Sequence, residues 1–133
     1  MSVRVHGDDA VLGTLLAHAG ERFGDRPYLS FALDDRDVTF AEAADGAARV
    51  AGGLAGLGVA HGDRVLLMLR NRVEFVLGWL GAATLGSAQV PVNVDYRGAF
   101  LEHLASTASS RSVSTTITRA PAVAARCSRN APR

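Results

Sequence analysis

Lysine is missing from this chain altogether; all 14 basic side chains among its 133 residues are arginine. That excludes a lysine Schiff base, a lysine general base and a lysine point charge on a transferring phosphate. Cysteine occurs once, as Cys127, so no internal disulfide can form. A reducing compartment, the cytoplasm, is therefore expected. The opening residues, MSVRVHGDDA, hold no apolar run of the kind a secretory signal needs. Membrane-length apolar runs are lacking too. Phe75 to Val92 carries no charge, but Gly86-Ser87 divides it and Pro91 lies within it. It reads as a buried helix followed by a buried strand, with no membrane span expected.

Acidic residues stop at Glu102 and glycine stops at Gly98. Residues 1–104 hold 9 arginines against 13 acids, a net of −4, and residues 105–133 hold 5 arginines and no acid, a net of +5. The chain thus divides into 1–104, patterned for folding, and 105–133, rich in Ser, Thr, Ala and Arg and without sustained periodicity. The second part is expected to be disordered or out of frame. Its five arginines are scattered and have no interleaved aromatics, which does not suit nucleic acid.

Within the first part, Leu12, Leu15, Leu16, Ala19 and Phe23 keep helical spacing, in a helix starting near Asp8 or Asp9 and ending before Gly24. Tyr28 to Leu33 and Val38 to Phe40 read as a hairpin around Asp34, Asp35 and Asp37. Thr39-Phe40-Ala41-Glu42 matches a capping box. An apolar stripe follows from Phe40 to Leu57 and stops at Gly58, in the C′ position. Arg64 to Leu69 is apolar on both faces, as in a covered parallel strand. Asn71 is placed to cap a helix over Val73–Leu85, apolar nearly all round and so expected to be buried, Trp79 included. Ala88 to Val92 is a second strand. Strand, helix, strand makes a βαβ unit, and a further helix begins near Gly98.

The pattern TFAEAADGAARVAGGLAGLGVAHGDRVLLMLRNRVEFVLGWLGAATLGSAQVPVN, residues 39–93, resembles the N-terminal region of the adenylate-forming (AMP-dependent synthetase/ligase) superfamily. That group includes acyl-CoA synthetases, firefly luciferase and peptide-synthetase adenylation domains. LxxLGVxxGDRV at 54–65, RNRVEF at 70–75 and G-x-x-x-V-P-x-N at 86–93 carry the match. YRGAFLEHL, residues 96–104, is similar to the crotonobetaine/carnitine–CoA ligase branch. The resemblance implies an α/β fold: the N-terminal part of the large domain, a βαβ unit with helices on a small mixed or parallel sheet.

It also implies a parent that adenylates a carboxylic acid with ATP and Mg2+ and passes the acyl group to CoA. The family's chemistry uses a phosphate loop ending in Pro-Lys, a Tyr-Gly-x-Thr-Glu segment, a ribose-binding Asp and a C-terminal lysine. None can be placed here. No catalytic, cofactor-binding or metal residue is therefore assigned, and no cofactor is expected on this chain alone. The chain reads as a truncated acid–CoA ligase fragment, inactive by itself. The alternative is a non-catalytic module docking to a related ligase or complementary fragment, or self-associating.

Other residues invite sharper readings. Gly52, Gly53, Gly56 and Gly58 close a helix and precede a strand, the reverse of a phosphate loop, so packing and capping are expected of them. Asp34, Asp35 and Asp37 lack the EF-hand spacing and suit a solvated turn. His6, His18, His61 and His103 have no metal-ligand spacing. Asn93 and Arg97 follow the C-terminal end of a parallel strand, where open α/β sheets place ligands, but turn formation and surface pairing suit them better.

Overall fold

The structure, a computed structural model, describes residues 11–32, 35–108, 112–116 and 123–125. Its elements run α1 (Leu12–Phe23), β1 (Pro27–Phe31), β2 (Arg36–Thr39), α2 (Phe40–Gly56), β3 (Arg64–Leu67), α3 (Val73–Thr84), β4 (Ala88–Pro91), α4 (Gly98–Ala108), β5 (Ser112–Thr116) and β6 (Val123–Ala125). β1 and β2 form an antiparallel hairpin. The other four strands make one sheet in the order β4-β3-β5-β6. β3 runs parallel to both β4 and β5, and β6 is antiparallel to β5. The expected α/β class and the β3–α3–β4 parallel unit are both present.

The tail reading for 105–133 falls mostly on residues outside the described set. Those described there continue α4 to Ala108 and add β5 and β6. The α1 start near Asp8 or Asp9 and the residues His6 and Cys127 also lie outside it.

Local chemistry sets the helix ends. At the start of α2, Glu42 N–H donates to Thr39 Oγ1 at 3.1 Å, and Thr39 N–H donates to Glu42 Oε2 at 2.9 Å. Two orphan amides are satisfied by one Thr–Glu pair. At its end Gly58 takes φ +88°. Its N–H donates to Ala55 O at 2.9 Å, and Val59 N–H donates to Leu54 O at 3.0 Å. This paired-bond stop with a left-handed glycine recurs at the end of α3. There Gly86 has φ +73°, Gly86 N–H reaches Ala83 O at 3.0 Å, and Ser87 N–H reaches Ala82 O at 2.9 Å. The Gly86 stop leads into β4 at Ala88, whereas a turn at Ala60–Asp63 follows Gly58 before β3 begins at Arg64. Val59 and Leu54 are both buried in the cluster beneath α2. Gly52, Gly53 and Gly56 meet nothing within 4 Å. Of the four glycines only Gly58 has a structural explanation, so the packing expected of the other three is absent.

The N-terminus of α3 departs from expectation. The helix starts at Val73 as expected, but Asn71 does not cap it; Arg72 holds the cap position with no side-chain hydrogen bond. Phe75 N–H bonds Arg72 O at 3.1 Å, so backbone alone closes the first turn.

The sheet is covered on both faces. Val65 and Leu67 pack with Leu54, Val59 and Ala82 of the α2/α3 layer. Leu66 and Val92 pack with Met68, Val90, Leu101 and Leu104 on the α4 side. A third cluster, with Leu16, Val38, Ala43, Ala47, Val73 and Leu80, joins α1, α2 and α3 to the hairpin. Phe40 ties the hairpin in: its ring lies 5.1 Å from Phe23 and 4.8 Å from Tyr28, within the range of favourable aromatic pairs.

The three helices approach closely because small residues line their contacts. A Cβ on Gly81 would stand 2.5 Å from Val50 Cγ1 and 3.0 Å from Ala47 O; one on Gly46 would stand 2.8 Å from Leu77 Cδ2. Trp79 breaks the expectation of an all-buried helix, being 42% exposed. α3 meets the sheet through Gly78, α2 through Leu77 and Gly81, and α1 through Thr84. Trp79 lies on the side of α3 away from the α2 contact.

Gly81→Val is expected to destabilise the chain by at least about 1–3 kcal/mol in urea unfolding, and Val50→Ala should restore part of the loss in the double variant. Thr39→Ala should cost about 1 kcal/mol by the same measurement.

Candidate functional site

Two parallel strands ending side by side leave a groove beyond their carboxyl ends, where chains diverge into loops. Here β3 and β4 end together, with Leu67 paired to Pro91. The cavity just beyond has a volume of about 580 Å³. Leu69, Arg70, Asn71, Arg72 and Phe75 line it on the β3–α3 side, and Pro91, Val92, Asn93 and Val94 on the β4 side. α3 opens at this groove. Arg70, Asn71, Arg72 and Asn93 are all exposed.

The polar groups lining the groove are two guanidinium and two amide side chains. None of these changes its charge near neutral pH, and none is a nucleophile. The guanidinium and amide groups of the described lining suit an anion by charge and hydrogen bonding.

Asn93 lies in the groove lining and Arg97 does not. Asn93 Oδ1 accepts from Asp95 N–H at 3.0 Å, and Asn93 O accepts from Tyr96 N–H at 3.2 Å. This is an Asx-type turn. The Arg97 guanidinium donates to the carbonyls of Val94 and Tyr96. Both residues therefore shape the β4–α4 loop. Arg70 and Arg72, not singled out from sequence, are the cationic residues of the groove. Their signal was the RNR run directly after a strand.

His18, His61 and His103 are exposed. His61 lies against Gly86, where an added Cβ would stand 2.3 Å from its Cδ2. Ser30 Oγ donates to Asp37 Oδ1 at 2.5 Å, and Asp35 takes φ +43° in the hairpin turn. Among the described residues no three His, Cys, Asp or Glu side chains gather as metal ligands. No described helix is long and apolar enough to cross a membrane.

The sequence profile described as AMP-binding enzyme matches residues 16–132. The 4-coumarate-CoA ligase 1 of Narcissus pseudonarcissus is 35% identical over 94 residues, which are 71% of this chain and 17% of that protein. The medium/long-chain-fatty-acid–CoA ligase FadD6 of Mycobacterium tuberculosis is 37% identical over 94 residues, 71% of this chain and 15% of its own length. Among solved structures, a Mycobacterium tuberculosis fatty acyl CoA synthetase superposes with a TM-score of 0.72 at 29% identity, covering 81% of this chain and 22% of that one. This chain thus spans about a sixth of the length of these curated relatives.

Arg70→Ala is expected to change stability by no more than about 0.5 kcal/mol in urea unfolding, as befits an exposed groove residue. A larger loss would give Arg70 a structural part.

Proposed function

The chain belongs to the AMP-binding enzyme family, and on that footing we propose that it is the N-terminal scaffold of an ATP-dependent acid–CoA ligase, with no catalysis of its own. The parent reaction would join a carboxylic acid to AMP with release of pyrophosphate, then pass the acyl group to the CoA thiol. ATP, Mg2+ and CoA belong to that parent. The observation that carries the proposal is chemical. Acyl-adenylate formation brings a carboxylate against a polyphosphate, and the developing charge has to be met by cations and oriented donors. This chain contains no lysine, and its groove offers two exposed arginines without a proton-transferring group. Its share of the work is to present the β3 and β4 ends as one wall of a larger cleft.

A cytoplasmic location belongs to the same proposal and is supported by the solitary cysteine. So does the division at residue 104. The loss of acids and glycine supports it, while the β3–β5 pairing and the reach of the family match to residue 132 favour an uninterrupted frame. Resequencing the locus decides between the two.

Among the described residues the outer margin of β4 is unpaired, which favours a second reading, a non-catalytic module that docks to a related ligase or complementary fragment. Adding the chain to a ligase polypeptide that lacks the matched N-terminal segment tests it. Restored acyl-AMP formation supports docking, and no restoration removes it.

For the main proposal the measurement is carboxylate-dependent AMP formation, or ATP–pyrophosphate exchange, by the purified chain across a panel of aromatic and aliphatic acids. No turnover above the protein-free control is expected. Turnover that survives repurification and is lost in Arg70→Ala would overturn the scaffold reading.

A further inference from the structure

We draw no further inference here: the strongest candidate, the cationic groove beyond the ends of β3 and β4 where Arg70 and Arg72 stand, belongs to the site already described.

Discussion

Close approach around α3 is the constraint on which the rest of the fold depends. Gly78 lets the helix settle on Leu67 of the sheet, Gly81 lets it settle on Val50 of α2, and Thr84 rests on Gly13 of α1. Replace any of these contacts by a larger pair and the helix must lift from two layers at once, because interiors packed to crystal density have no slack to absorb the change. The position of α3 in turn fixes where β3 and β4 end relative to one another, and so where the groove opens. Both α2 and α3 end at a left-handed glycine with the same pair of hydrogen bonds. The turn into each strand is thus set locally, and packing then aligns what the turns deliver.

The groove at the strand ends has the right place for a ligand in an open α/β sheet but an incomplete chemistry. Guanidinium and amide groups can recognise charge and planarity. That chemistry suits a polypeptide that supplies framework to a larger cleft, and it fits relatives of which this chain matches only a sixth. The position of the site is therefore a property of the fold, and in the scaffold reading proposed above its reactivity comes from the rest of the parent ligase.

Much of this was legible in the amino-acid order. The Thr39–Glu42 capping box, the Gly58 and Gly86 stops, the hairpin and the β3–α3–β4 order all depend on contacts between residues a few positions apart, and a one-dimensional pattern records such contacts faithfully. The apolar run Val65-Leu66-Leu67 likewise announced a strand covered on both faces. The misreadings share a physical cause. Asn71 had the side chain for a cap, but the backbone of Arg72 began the helix without it. Trp79 had the composition of a core residue, but it lies away from the α2 contact and is 42% exposed. Gly52, Gly53 and Gly56 looked like packing positions and face open space.

The sequence by itself determined the helices, the Thr39–Glu42 cap and glycine stops of α2 and α3, the parallel unit and the lack of lysine chemistry, because each of these follows from residue type and short-range spacing. Only the tertiary structure decided that Arg70, Arg72 and Asn93 share one groove, and that β5 joins β3 on the side away from β4, leaving β4 outermost among the described strands. Those facts depend on how separate elements are laid against one another. Side-chain periodicity says which face of an element is buried, but not which neighbour buries it, nor which edge is left without one.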